Sequence, residues 1–177
     1  MLTQKELKEL LHYNPDTGVF TWLVTRGRNK AGDVAGNTNK NTGYLQIRLI
    51  YILYQGHRLA WLYMTGEWPR EYLDHINGVR DDNRWVNLRE ATHRQNLYNK
   101  GSLKGSSSKH KGVSWDKWAK KWVVKARSPA KLLHLGHFDC EHEAALVFNK
   151  FALKHHGEYA RFNQVYNHFD VEVGRDD

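Results

Sequence analysis

An Asn77-Gly78 pair directly after Leu73-Asp74-His75-Ile76 constrains this chain more than any other stretch. Asn-Gly is a strong hairpin signal because both residues tolerate positive φ. A strand must therefore be ending where Asp74 and His75 sit. Neighbours in a regular strand point to opposite faces, so the two side chains can serve one site only if the strand is bulged or finishing there. Asn83-Arg84-Trp85-Val86-Asn87-Leu88-Arg89 follows, and then Thr92 with Gln95, which reads as a capping box. The helix it opens presents His93, Asn96 and Lys100 on one face. A hairpin laid on that face brings Asp74 and Asn96 together.

An acid, an imidazole and two amides in one short span suit the hydrolysis of a phosphodiester. That reaction needs a deprotonated water, neutralisation of charge on the phosphate oxygens and an in-line geometry. Histidine titrates near neutrality and suits the first task. A divalent cation on a hard oxygen ligand suits the second; magnesium accepts one or two protein oxygens and keeps waters for the substrate.

The partner is expected to be anionic, because the 177 residues carry a net charge of +8. Hydrophobic residues make up 40%, which excludes a disordered chain. No apolar run is long enough for a bilayer and the first residues lack a signal-peptide core, so a soluble cytoplasmic protein is expected. Cys140 is the only cysteine, which excludes an internal disulfide and a cysteine-paired zinc site. No zinc is expected.

The fold class reads as α+β. Thr3 and Glu6 form a capping box ahead of Leu7, Leu10 and Leu11. Asn14 to Gly18 is a turn, 19–23 a strand, 32–43 a loop and 44–49 an alternating strand. His57 to Met64 reads as a helix stopped by Gly66. The Gly/Ser/Lys-rich segment 101–108 reads as a flexible basic linker and the domain boundary, with the first domain over 1–100. Beyond it, 111–115, 121–127 and 132–138 read as three strands, and Asp139 caps a helix with Glu141 and Glu143 in its first turn. Ala144, Phe148, Phe151, Ala152 and His155 share that helix's face. Lys121, Val123, Lys125 and Arg127 share one strand face, leaving a cationic sheet surface with Lys111 near it and Trp118 before it. The tail, 164–177, carries no signal.

The Asp-His, Asn-Gly, Asn-Arg-Trp-x-Asn-Leu-Arg and Thr-x-x-x-Asn elements together resemble the HNH endonucleases, above all the homing or free-standing enzymes of phages and introns. The resemblance is close over roughly 57–100 and implies a ββα-metal unit, with its motif core at 71–100, preceded by a small α/β region. Carried over, it makes Asp74 and Asn96 the metal ligands, His75 the general base and Asn87 the brace of the loop that orients the base. Asn96 is preferred to His93 because its spacing from Asn87 fits the phage pattern. Magnesium is implied, with manganese as a substitute. Arg80, Arg84, Arg89 and Lys100 become phosphate contacts.

Residues 109–163 resemble the Apetala-two/ethylene-response-factor DNA-binding domain through Lys-Gly-Val-Ser-Trp, Lys-Trp-Val-Val-Lys-Ala-Arg, His-Leu-Gly-His-Phe-Asp and Ala-Arg-Phe-Asn. A three-stranded sheet plus helix is implied, with Lys111, Trp118, Lys121, Lys125 and Arg127 on DNA. Ser114, Leu132 and His134 depart from the plant pattern. The two resemblances imply a metal-dependent endonuclease acting on double-stranded DNA in a bacterial host's cytoplasm. One site per chain implies nicking by a monomer, unless a dimer cuts both strands. The rival is a non-catalytic, transcription-factor-like DNA-binding protein with a degenerate nuclease unit. An RNA-binding protein is disfavoured by the lack of an aromatic ribonucleoprotein signature.

Overall fold

The chain divides between Asn99 and Lys100 in the computed structural model, which describes residues 1–165. The tail assigned to 164–177 therefore lies, beyond Val165, outside the described residues. Both units mix helix and strand.

In the first unit, Thr3 caps α1 (Gln4–Leu10), and the Glu6 carboxylate accepts from the Thr3 backbone N–H at 2.8 Å. α1 stops before Leu11, which opens β1 (Leu11–Tyr13), a strand too short to show a period in the sequence. β1 pairs with β2 (Phe20–Trp22) across the Asn14–Gly18 turn, where the Asn14 side chain accepts from the N–H groups of Asp16 and Thr17. The expected loop over 32–43 contains β3 (Asn37–Thr38), which pairs with β4 (Leu45–Leu49). β4 also pairs with β5 (Ile52–Gln55), a strand hidden in the sequence because Ile52-Leu53-Tyr54 does not alternate. α2 (Gly56–Thr65) ends on Gly66 in the left-handed conformation. Leu7, Leu11, Phe20, Ile47, Leu49, Leu59 and Leu62 form the core these elements share. Each such side chain contributes roughly 1.5–3 kcal/mol relative to exposure.

β6 (Tyr72–His75) and β7 (Leu88–Ala91) form an antiparallel hairpin, and α3 (His93–Asn99) packs on it. The Asn77-Gly78 turn forms, with the Gly78 N–H donating to the His75 carbonyl at 2.8 Å. It does not close the hairpin. The connection runs on through a 3-10 turn at Trp85–Asn87 before β7 begins. The elements preceding the hairpin fix this long loop. Tyr13 donates its hydroxyl to the Asn83 carbonyl at 2.6 Å, and the Trp85 N–H donates to the Pro15 carbonyl at 2.9 Å. Gly18, at φ +73°, lies so close that a Cβ there would stand 2.5 Å from the Arg84 nitrogen.

In the second unit, β8 (Val113–Asp116), β9 (Lys121–Arg127) and β10 (Leu132–Phe138) form an antiparallel sheet in the order β10-β9-β8. α4 (Glu141–His156) covers it through Ala144, Ala145, Phe148, Phe151 and Ala152. Cys140, rather than Asp139, occupies the N-cap position, and Asp139 is ion-paired with Lys121 at 3.2 Å. The buried histidine of the last turn is His156, whose Nε2 hydrogen-bonds the Arg127 carbonyl, while His155 stacks on Phe151. The Gly/Ser stretch differs from a free linker. Ser102 donates to the Ser108 carbonyl, Ser107 accepts from the Trp115 N–H and Ser108 donates to Glu141 at 2.6 Å. Its serines are satisfied within the second unit, so composition alone overstated its freedom.

Gly18→Ala forces both a strained φ and a backbone collision. It should cost about 2 kcal/mol, measured as a lower urea midpoint. The same substitution should displace Asn83, and with it the side chain that Asn83 holds.

Candidate active site

Asp74 and His75 leave β6 in different directions. The Asp74 carboxylate turns toward α3 and toward Arg89, its cross-strand partner. Arg89 donates Nε and Nη2 to Asp74 Oδ2 at 3.0 and 2.9 Å. Asp74 is 5% exposed, and a buried carboxylate without partners would cost several kcal/mol. The guanidinium and the helix amide remove that cost.

The amide belongs to Asn99. Its Nδ2 lies 3.0 Å from both Asp74 carboxylate oxygens, 2.7 Å from the His75 carbonyl and 3.3 Å from the Ile76 carbonyl. The end of β6 makes this convergence possible, because the His75 and Ile76 carbonyls there are released toward the helix. Asn96, one turn earlier, is half-buried and uses only its backbone, its N–H donating to the Thr92 carbonyl. The structure thus brings Asn99, not Asn96, to Asp74. His93 packs its ring on Tyr72 instead. The Thr92–Gln95 capping box forms as expected. It fixes where α3 starts, and the buried pair Tyr98-Asn99 marks the face that meets the hairpin.

The His75 imidazole lies on the other side, 4% exposed, with its Nε2 3.2 Å from Asn83 Oδ1. Asn83 donates its own Nδ2 to the Asp81 carbonyl at 3.2 Å, which orients the amide. Oδ1 can only accept, so the proton sits on Nε2 and the Nδ1 lone pair is the basic one. His57 packs edge-on against His75 at 5.0 Å, and Tyr44 lies 5.9 Å away. Burial holds the His75 imidazole below the ordinary histidine value, opposed by the Asn83 hydrogen bond and by Asp74, Asp82 and Asp81. Burial drives His57 further down, to about 3, with His75 and Arg58 adding to the effect. His57 Nδ1 is buried without a hydrogen-bond partner.

Asn87 ties the loop to the hairpin. Its Oδ1 accepts from the Asn77 N–H at 3.0 Å, and its Nδ2 donates to Asn77 Oδ1 and to the Asp82 carbonyl. Arg84 forks onto Asp82 at 2.7 and 2.6 Å, which with the Asn77 amide holds the Asp82 carboxyl down near 2. Arg80 donates to the Thr42 carbonyl and lies over the Tyr44 ring. Of the expected phosphate contacts in this unit, Arg84 and Arg89 are thus engaged with carboxylates. In the second unit, Lys100, Lys125 and Arg127 are exposed and Trp118 is 98% exposed at the β8–β9 turn. Lys111 is half-buried, and burial, with Arg161 nearby, lowers its ammonium to about 8. Val123, expected on the cationic face, is buried.

Among the described residues, no three His, Cys, Asp or Glu side chains converge on one point. A cation at this site would rest on one carboxylate, an amide and carbonyls. Residues 54–98 match the family model described as HNH endonuclease. Over this segment the chain is similar to the HNH endonucleases. Asp74, His75, Asn83, Asn87, Arg89 and His57 fall inside the matched span, Tyr13 and Tyr44 precede it, and Asn99 follows its last residue. Protein 3.8 of Escherichia phage T7 is 29% identical over 107 residues, 60% of this chain and 88% of that protein. The solved structure "DNA binding and cleavage by the HNH homing endonuclease I-HmuI" is similar at 21% identity and a TM-score of 0.43, over 83% of this chain and 85% of that one. No helix among the described residues is long and apolar enough to cross a membrane.

His57 gives a pH test of this buried HNH cluster. Its folded pKa lies below its unfolded one, so as pH falls below about 6.5 the unfolded chain binds the proton first and stability declines. The decline is at most about 1.4 kcal/mol per pH unit from this group. Urea midpoints at pH 7.5 and 5 should fall less in His57→Phe than in the native chain; equal losses would mean that His57 is not the buried group responsible.

Proposed function

We propose that this chain is a cation-dependent endonuclease that hydrolyses phosphodiester bonds in double-stranded DNA. The observation that carries the reading is the Asn99 amide nitrogen facing four oxygens within 3.3 Å. An amide NH2 has two hydrogens, and Arg89 and the Gly78 N–H also serve Asp74 Oδ2 and the His75 carbonyl. A carboxylate and two carbonyls gathered this closely are the kind of hard-oxygen cluster that fits a divalent ion. Asp74 and Asn99 would hold it, the amide rotated so that its oxygen faces inward. Magnesium or manganese bound there would offset charge on the phosphate and the leaving oxygen.

The chain's own groups do the remaining work. His75 accepts the proton of the attacking water on Nδ1, while its Nε2–H stays on Asn83. Desolvation keeps the imidazole neutral at physiological pH and so able to accept. Asn87 fixes the loop that carries Asn83, and Tyr13 holds the same loop from beneath. The ring and the loop are thus positioned before substrate arrives, which limits reorganisation during the reaction.

The second unit is proposed as the DNA reader, of the Apetala-two-like kind. Exposed Lys125 and Arg127 on β9 and the projecting Trp118 support it, since a sheet of this size fits a major groove. One site per chain makes a single-strand nick the expected product of a monomer in a bacterial cytoplasm. One observation favours the rival, a DNA-binding protein that does not cut: Arg89 already occupies Asp74 Oδ2.

Supercoiled plasmid incubated with magnesium decides between them. The native chain should nick it, and chelator should stop the reaction. His75→Ala should lower turnover by about two to four orders of magnitude with DNA binding intact. Asn99→Ala should abolish both nicking and the rise in melting temperature that magnesium produces, whereas Asn96→Ala should keep that rise. The reverse pattern would return the ligand role to Asn96. Separately, Lys125→Ala combined with Arg127→Ala should weaken DNA binding and reduce the slope of log affinity against log salt by about two, read by fluorescence anisotropy.

A further inference from the structure

The β4–β5 hairpin ends in a two-residue turn, Ile50-Tyr51, between the paired residues Leu49 and Ile52. Both turn residues have positive φ, 45° for Ile50 and 71° for Tyr51. A two-residue turn of this hand selects Asn-Gly or Gly-Gly, and positive φ is a genuine outlier for a β-branched residue. Elsewhere among the described residues, positive φ falls on glycine, apart from Lys120. Here the chain keeps two bulky residues where glycine would relieve the strain, and strain of this kind clusters at functional positions.

The tip is also apolar and bare. Tyr51 is 90% exposed, and Ile50, Ile52 and Leu53 are each about half exposed. Four consecutive exposed hydrophobic residues contribute nothing to the core of the unit. Arg48, opposite Leu53 on the outward face, donates Nη1 to the Tyr51 carbonyl at 3.2 Å and so sets a cation beside the apolar point. An apolar wedge flanked by arginine is the chemistry that opens a duplex step from the minor groove, with phosphate contact alongside the inserted side chain.

We infer that the Ile50-Tyr51 tip is a wedge that inserts between base pairs of the duplex and kinks it. The inference rests on the reading of the chain as a DNA-cutting protein and adds the means by which the duplex is deformed. The wedge is a binding device, separate from the groups that handle the proton.

The test uses two 30 base-pair duplexes of one sequence, one fully paired and one with a central T·T mismatch. It is run in chelator so that no cutting occurs. A pre-weakened step costs less to open, so the native chain should bind the mismatched duplex roughly tenfold tighter. Ile50→Asn combined with Tyr51→Gly should raise the melting temperature by relieving the turn, yet bind both duplexes alike. Tyr51→Trp should keep the preference. A double variant that melts lower, or that retains the preference, overturns the wedge. So does a native chain that binds both duplexes equally, and in that case the nuclease reading stands. A native chain that binds neither duplex overturns both. Loss of nicking in His75→Ala with the mismatch preference intact supports the wedge independently of the chemistry.

Discussion

One side-chain amide holds the proposed cutting unit together. Asn99 binds the Asp74 carboxylate, the His75 carbonyl and the Ile76 carbonyl, and so fastens the last turn of α3 to the end of β6. Remove it, and the carboxylate keeps Arg89 while the Ile76 carbonyl loses its contact with α3 and the His75 carbonyl keeps only the Gly78 N–H. A hydrogen bond to a charged group contributes about 1.5–3 kcal/mol, and here several share one donor group. The proposed catalytic geometry and the stability of the helix–hairpin contact therefore depend on the same interaction.

A second constraint acts through the loop between β6 and β7. It is long enough to need support, and the support comes from sequence-distant residues: Tyr13 and Pro15 by hydrogen bonds, Gly18 by leaving room. Asn83 passes this support to His75. The N-terminal elements are thus part of the framework that positions His75 and not an appendage to it.

Much of this was legible in the residues. The capping boxes at Thr3 and Thr92, the stop at Gly66 and the three strands of the second unit follow from local rules that tertiary contacts did not override. Asp74, His75 and Asn87 stood out because their residue types and spacing occur together. The misreadings share a cause. Asn96 was preferred to His93, and Asn99 was not considered, because spacing along a chain does not reveal which face of a seven-residue helix meets the hairpin; the structure brings Asn99 to Asp74. Asn83 received no role of its own, because the Tyr13 hydroxyl that holds its carbonyl lies 70 residues away in the sequence. The Asn77-Gly78 turn was correct locally and wrong as a hairpin closure, since a turn signal says nothing about how far the chain travels before it pairs. β5 was missed because a strand with both faces partly exposed lacks alternation.

The ion pair between Arg89 and Asp74 has a bearing on how the protein matures. A site that collects oxygen atoms ordinarily repels itself until a counter-charge comes from outside, and folding then waits on supply. Here the counter-charge is attached to the neighbouring strand and arrives with the polypeptide. The Asp74 charge is thus neutralised without any ion from the medium, so the nascent chain reaches its final shape independently of divalent-ion supply.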